Sequence, residues 1–503
     1  MKTIALVSLL CFACAIPTIM IGEEAVTSTK PVLLPVKNDP TVSFRIWFKV
    51  GSQNDPVGKE GLASVTAAML SDASTEKNSY SEILDKLYPL ATSYNASAST
   101  EMTVFYGRTH KDNISQFYTL FMDAILTPAF KQEDLDRIKS QLLNYLENTL
   151  RYSSDEELGK AVLYNELFHD TPYGHLIAGT SQGVAGITLD DVRAFYKKYY
   201  TKDNLVIGLG GSYTDELLAT MKKDLAKLPS GAPKPVPVSK AKKLTGFDFT
   251  IVEKDAPATA ISMGFPIDVL RGSKDWYALA IANSWLGEHR NSSSHLYQVI
   301  REERGLNYGD YSYIENYPNG GQRQLPPQNV SRRQQIFEIW IRPVPNETRH
   351  FALRAALREF KKLVDQGMTK NDFELTRNFL SKYVLHYAPT TMERLAYALD
   401  DRFYGLGTSH LETFRKMMKT LTLADVNAAI RKHWQYGSMA VAVVTKDASG
   451  FRDALVKDAP SPITYSTPKS AAVMQEDKEI ISFPIKVKEE SIRLIPVGEL
   501  FVR

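Results

Sequence analysis

A duplication limits what this chain can fold into more than any other feature. Ile187-Thr188-Leu189-Asp190-Asp191-Val192 leads into a helical pattern and then the apolar run NLVIGLGG. Leu421-Thr422-Leu423-Ala424-Asp425-Val426 leads into another helical pattern and then MAVAVVT. Thr188 and Thr422 stand 234 positions apart. A second match, Glu133-Asp134-Leu135 against Asn371-Asp372-Phe373, precedes a long helical pattern in each half and has a spacing of 238 between Asp134 and Asp372. Self-similarity on this scale means two copies of one domain, and a chain of 503 residues has room for both. The Pro- and Lys-rich LPSGAPKPVPVSKAKK over 228–243 has the composition of a connector. The chain therefore divides into a leader over 1–22, an N-terminal domain over 28–228, a linker over 229–245, a C-terminal domain over 246–460 and a tail over 461–503.

Hydrophobic periodicity fills in the first copy. TVSFRIWFKV from Thr41 alternates like a half-buried strand, and 60–72 is a buried helix with Leu62, Val65 and Met69 inward. A serine-capped helix is expected over 79–90, a pair of strands over 93–99 and 103–106, and helices over 114–126 and 132–150. Helix outweighs strand without the tight strand-helix rhythm of a parallel barrel, so the fold class is α+β. Gly208-Leu209-Gly210-Gly211 lacks the full nucleotide-binding fingerprint and reads as a turn before a Thr214-Asp215 cap. Residues 319–335 are polar and irregular, and read as a lip or a partner contact. The tail carries apolar segments without a core of its own and is expected to lie across the domains or a partner.

Charge is nearly balanced, 60 basic against 57 acidic residues, which gives no support to a polyanion-binding role. Met1-Lys2 followed by IALVSLLCFACAI reads as an export signal with Ala13-Cys14-Ala15 as the cleavage candidate, so the expected location is outside the cytoplasm, periplasmic in a bacterium. An uncleaved or lipidated anchor is the minority alternative. The only cysteines, Cys11 and Cys14, fall inside this segment, so a processed chain has no thiolate for a metal, a nucleophile or a disulfide.

Two stretches carry chemistry. Gly51 to Leu70 reads GSQNDPVGKEGLASVTAAML, and 292–313 reads SSSHLYQVIREERGLNYGDYSY. The first resembles the pitrilysin/insulinase family of zinc peptidases, where a strand ends in Gly-Ser-x-x-Asp/Glu-Pro and a helix opens Gly-Leu-Ala-His-x-x-Glu-His-Met-Leu. Gly51-Ser52, Asp55-Pro56, Gly61-Leu62-Ala63 and Met69-Leu70 keep that frame, while the metal and base positions fall on Ser64, Ala67 and Ala68. Zinc takes imidazole, thiolate or carboxylate, and a methyl group offers it nothing. Ala67 also removes the carboxylate that would serve as general base. The family's third ligand aligns with Tyr145, or with Glu147 after a slip of two positions.

In the second stretch a helix with Leu296, Val299 and Ile300 inward stops at Gly305, and a strand begins near Asn307. Arg301-Glu302-Glu303-Arg304 on its own is a solvated helix end. The family places an arginine and a tyrosine seven positions apart in the half opposite its zinc, and Arg301 and Tyr308 have that spacing. The resemblance implies that Tyr308 donates to the oxyanion of a tetrahedral intermediate and that Arg301 holds substrate or strengthens the same charge stabilisation. It also implies duplicated α+β halves facing each other across a chamber. The expected function is that of a non-zinc-binding subunit with no cofactor of its own, completed by a zinc-bearing homologous partner and acting on a peptide or unfolded protein. The alternatives are a peptide-binding or assembly scaffold without hydrolysis, and an autonomous hydrolase with unorthodox ligands. His169 and His175, and His289 and His295, form no ligand pair by spacing, and no acidic partner is spaced to help the latter two.

Overall fold

The computed structural model describes residues 28–503, so the leader over 1–22 lies outside the described residues. In the N-terminal half, β1 (Val32–Pro35) and β2 (Thr41–Phe48) lead to α1 (Leu62–Ser71) and α2 (Tyr80–Leu87). A hairpin of β3 (Tyr94–Ala98) and β4 (Thr103–His110) follows, then α3 (Ile114–Leu126) and α4 (Gln132–Asn144), which continues as a π-helix over Tyr145–Ser153. α5 (Asp155–Phe168), α6 (Ser181–Gly186), α7 (Leu189–Tyr199), β5 (Leu205–Gly211) and α8 (Asp215–Leu225) complete it.

The second half repeats the plan with β6 (Phe247–Glu253), β7 (Ala258–Ile267), α9 (Lys274–Gly287), a π-helix over Tyr297–Glu302, β8 (Asp310–Tyr313) and β9 (Gln335–Pro345). α10 (Arg349–Gln366), α11 (Lys370–Tyr383), α12 (Thr391–Phe403), α13 (His410–Thr420), α14 (Leu423–His433), β10 (Met439–Thr445) and α15 (Ala448–Val456) follow. The tail supplies α16 (Ala471–Ile481) and β11 (Ile492–Pro496).

The strand orders carry the duplication further than the sequence does. The first sheet runs β1-β5-β2-β4-β3 and the second runs β6-β10-β7-β9-β8, the same order position for position, with β11 added beside β6. The outer pairs β1/β5 and β6/β10 are parallel and the inner pairs antiparallel in both. Thr188 and Thr422 cap the equivalent helices α7 and α14 with the same reciprocal pair of bonds, to Asp191 and Asp425.

Each half lends the other a helix. α5 packs on β7, β10 and β9 of the second sheet, and α12 packs on β5, β1 and β2 of the first. One face of each sheet is thus covered by its own helices and the opposite face by the other half. This is why β2 is buried on both faces although its sequence alternates. Val42, Phe44, Ile46 and Phe48 face the helices of their own half, while Trp47 packs with Leu395, Leu399 and Phe403 of α12. The polar member Arg45 donates from Nη1 to Asn329 Oδ1 at 2.6 Å.

The exchange also corrects the reading of Gly208–Gly211 as a turn. These glycines lie inside the buried strand β5. A Cβ on Gly210 would stand 3.1 Å from the Thr391 methyl and 3.5 Å from Leu395, and one on Gly208 3.5 Å from Leu399, so missing side chains let α12 approach the sheet. Gly210→Val is expected to destabilise the protein by about 1–3 kcal/mol through overpacking. Denaturant unfolding checks this, and a variant as stable as the parent would mean that α12 is free to move away.

Residues 319–335 differ from expectation as well. They are irregular, but they run between the halves: Asn329, Ser331, Arg332 and Gln334 are buried, and Arg333 Nε donates to Glu101 Oε2 at 2.6 Å. Their polar side chains are spent on partners in both halves, which a count of polar residues reads as solvation. The tail crosses back likewise, with β11 parallel to β6 and Leu500 O accepting from Arg151 Nε at 3.0 Å.

His295, for which local spacing offers no acid, finds one on α10, 64 residues away. Its Nε2 stands 2.7 Å from Glu359 Oε2. Burial raises the Glu359 carboxyl, but His295 and Lys362 outweigh that and hold it at about 2. A carboxyl lowered on folding contributes stability above its ordinary value near 4.5 and loses it as pH falls towards 2. Glu359→Gln should therefore cost about 2 kcal/mol at neutral pH. The gap to the parent should narrow as pH drops below 4.5; a gap independent of pH would contradict this assignment.

Candidate functional site

The helix that carries the metal positions in the resemblance is α1, and its frame residues have a structural task. Asp55, its side chain fully buried, turns its carboxylate onto the open end of α1: Oδ2 accepts from Gly61 N at 2.8 Å and Oδ1 from Ala63 N at 2.7 Å. These are amides that a helix cannot satisfy internally. Burial pushes the Asp55 carboxyl up to about 8, with the two amides pulling the other way. The Gly-Ser-x-x-Asp-Pro and Gly-Leu-Ala segments are therefore the cap and entry turn of a buried helix.

The residues at the metal positions do not fit zinc. The Ser64 hydroxyl donates to the Ile177 carbonyl, and Ala67 and Ala68 present methyl groups, Ala67 only 2% exposed. Tyr145 is half-buried in the π-helix that continues α4, while Glu147 on the same segment is exposed. Among the described residues no group of three His, Cys, Asp or Glu side chains is arranged around a common point for a metal. No step of a reaction can be routed through a metal on this helix.

Arg301 and Tyr308 are brought together. Arg301 sits on the π-helix over Tyr297–Glu302, whose buried face is Val299 and Ile300, with Leu296 just ahead of it. Gly305 ends the segment in the left-handed region at φ 72° and donates to Arg301 O at 2.8 Å, a stop that a Cβ would strain. The chain then turns so that the Arg301 guanidinium lies 5.2 Å from the centroid of the Tyr308 ring. β8 begins at Asp310 rather than near Asn307, which leaves Tyr308 on the turn ahead of the strand.

Asn307 and Asp310 hold that turn, and neither was foreseen as a participant. Asn307 Nδ2 donates to Asp310 Oδ1 at 2.8 Å and to Arg342 O at 3.1 Å, and Gly309 N donates to Asn307 Oδ1 at 3.3 Å. Burial lifts the Asp310 carboxyl far above the ordinary carboxylate range. Arg342 N donates to Gly309 O at 3.2 Å, and Arg342 Nε to Glu156 Oε1 on α5 at 2.7 Å. The exchanged helix thus braces the tyrosine turn.

Two arginines three positions apart have opposite fates. The Arg304 side chain is fully buried and donates to Asp477 Oδ1 at 2.9 Å and to Val299 O at 2.8 Å, anchoring the tail helix α16. Arg301 is half-buried and Tyr308 is 76% exposed; among the described residues neither side chain has a hydrogen-bond or ion-pair partner, and Arg301 Nε is itself a buried donor without an acceptor. A guanidinium over a phenol, with the tyrosine exposed and the donors of both side chains unpaired among the described residues, can receive a carbonyl oxygen or an anion.

Family models match on both sides of the duplication: "Insulinase (Peptidase family M16)" over residues 32–181, and "Peptidase M16 inactive domain" over 186–380. A protein of Helicobacter pylori named a non-peptidase homolog, YmxG, is 23% identical over 414 residues, which covers 81% of this chain and 89% of that protein. An uncharacterized zinc protease of Bacillus subtilis, also YmxG, is 24% identical over 304 residues, 59% of this chain and 71% of its own. One of Rickettsia bellii is 25% identical over 282 residues and is covered over 66% of its length. Among solved structures, a peptidase M16 inactive domain from Pseudomonas fluorescens superposes with a TM-score of 0.72 at 24% identity, covering 82% of this chain and 94% of that one. A protease from Helicobacter pylori superposes with a TM-score of 0.70 at 18% identity, covering 82% and 96%.

Proposed function

The chain belongs to peptidase family M16, the insulinase family, and from that premise we propose that it is the non-metallated subunit of a heteromeric peptidase, exported from the cytoplasm and active only beside a zinc-bearing homologue. The partner brings the metal and the general base. This chain brings substrate binding and two donors, with Tyr308 donating from its hydroxyl to the carbonyl oxygen as charge develops there and Arg301 adding its guanidinium to the same stabilisation. Donors of this kind accelerate hydrolysis because they meet more charge in the transition state than in the bound substrate. The single observation that supports the role most directly is that Arg301 and Tyr308 stack on each other without any partner of their own among the described residues, while neighbouring Arg304 is fully engaged. The degenerate metal positions at Ser64, Ala67 and Ala68 support the division of labour.

A scaffold without a part in hydrolysis is the second reading, and the non-peptidase name of the Helicobacter pylori relative favours it. Reconstitution separates the two. This chain, purified and mixed with a homologue of intact His-x-x-Glu-His, is expected to co-elute with it and to raise peptide turnover well above that of either chain alone. Co-elution without any gain in turnover would leave the scaffold.

A further inference from the structure

The linker borders a cavity at the seam between the halves. Gly231 N donates to Asp203 Oδ2 at 2.8 Å and Arg333 Nη2 to Val236 O at 2.8 Å, which fixes the linker at both ends of the stretch between. That stretch lines a space of about 270 Å³ together with Trp47, Lys49 and Gln53 from the end of β2 onwards and Phe403 of α12. The proposed catalytic role uses none of it.

Three polar groups on this lining have no partner among the described residues. Trp47 is wholly buried, and its indole Nε1 donates to nothing. Lys49, two positions on and so on the same face of the extended chain, is half-buried, with neither a hydrogen bond nor a carboxylate for its ammonium. Gln53 Oε1 is a buried acceptor without a donor. Buried polar atoms left in this way are costly unless something occupies the space they face.

The charges around the cavity leave one cation inside it. Arg333 and Glu101 cancel: Arg333 Nε donates to Glu101 Oε2 at 2.6 Å and Arg333 N to Oε1 at 2.7 Å, an oxygen that the Tyr173 hydroxyl also reaches. Asp203 and Lys234 are exposed at the rim and opposite in sign. Lys49 remains, and burial lowers its amine to about 8, which still leaves it mostly protonated at pH 7. The Arg402 guanidinium, close enough to add to that lowering, donates to Ser28 Oγ at 3.1 Å and to the Lys30 carbonyl at 3.2 Å and has no carboxylate among the described residues either. Two neighbouring cations without a counter-ion, beside an idle indole N–H, are the surroundings of an anion.

We propose that the cavity beside the linker binds a small carboxylate with an adjacent hydroxyl, of the 2-hydroxy acid class. Its carboxylate meets the Lys49 ammonium and the Trp47 indole N–H, and its hydroxyl donates to Gln53 Oε1. Both unpaired donors then find an acceptor, and the unpaired acceptor finds a donor. The volume lies just below the usual range of ligand pockets and suits a small metabolite. The assignment is independent of the catalytic partnership proposed above.

Calorimetric titration of the full chain with sodium glycolate at constant ionic strength tests it. Saturable one-to-one binding is expected at pH 7, with half-saturation on the order of 1 mM. Acetate, which lacks the hydroxyl, should bind more weakly, and neutral glycolamide not at all. Because the ammonium is the form that binds, affinity should fall on the order of tenfold from pH 7 to pH 9, as the amine at about 8 loses its proton. Lys49→Met should weaken binding by about tenfold or more and flatten that pH dependence. Gln53→Glu keeps the shape but sets a carboxylate against the ligand's own and should abolish binding, so one informative variant remains if the other fails to fold. No binding of glycolate to the parent chain, equal binding of acetate or glycolamide, affinity that does not fall with pH, or full affinity in a folded variant of either kind would overturn the proposal.

Discussion

Tyr308→Phe in the reconstituted pair is expected to lower kcat/KM on the order of 10²–10³-fold, about 3–4 kcal/mol of transition-state stabilisation, with most of the loss in kcat and little in KM. The change removes one oxygen from a side chain that is 76% exposed and bonds to nothing else among the described residues, so folding should be unaffected. That separates a catalytic loss from a structural one: the variant should keep the parent's thermal midpoint and its co-elution with the partner. Arg301→Lys retains the charge but loses the planar group that stacks on the tyrosine ring at 5.2 Å, and should fall between the parent and Tyr308→Phe. Unchanged turnover in Tyr308→Phe would reject the oxyanion role and leave the chain a scaffold.

Asp400→Ala should destabilise the folded chain by about 3–5 kcal/mol without touching the catalytic pair. Asp400 is on α12, 1% exposed, and its Oδ1 accepts from the Ser331 hydroxyl at 2.9 Å and from Asn329 Nδ2 and N at 3.1 Å, with Arg271 Nη1 3.6 Å from Oδ2. Asn329 passes the connection to Arg45 on β2 of the other half. Removing the carboxylate strands several donors and part of a buried guanidinium in the layer where α12 lies on the first sheet. The cost of an uncompensated buried charge exceeds that of the lost bonds themselves. Asp400→Asn, which keeps an acceptor in place, should cost less than the alanine. Chemical denaturation measures both; an alanine variant within 1 kcal/mol of the parent would mean the halves are held by their apolar layers alone.

The duplication was legible because it survives as capping residues: Thr188 with Asp191 and Thr422 with Asp425 set the same local geometry twice, whatever packs around them. Arg301 and Tyr308 were singled out by the family resemblance alone, since local sequence reads Arg301 to Arg304 as a solvated helix end; the structure adds that the stop at Gly305 and the short turn after it bring the two side chains together. The exchange of α5 and α12 was not legible. Periodicity reports which face of a helix is apolar and never which sheet that face meets. The error on β2 follows from this, because a strand covered on its second face by Trp47 against α12 and by an Arg45 bond reads as half-exposed when Arg and Ser are scored as solvent-seeking. Gly208 and Gly210 failed in the same way, as glycines that admit a neighbouring helix have the signature of a turn. The pairing of His295 with Glu359 lay beyond any rule of local spacing.

Zinc content set against turnover tests the division of labour most directly. The chain purified alone is expected to hold no stoichiometric zinc and to cleave no peptide. The reconstituted pair is expected to hold one zinc per two chains and to lose turnover on chelation, with the metal leaving in the partner's fraction when the subunits are separated. One zinc per molecule in this chain by itself, together with chelator-sensitive cleavage, would contradict the account.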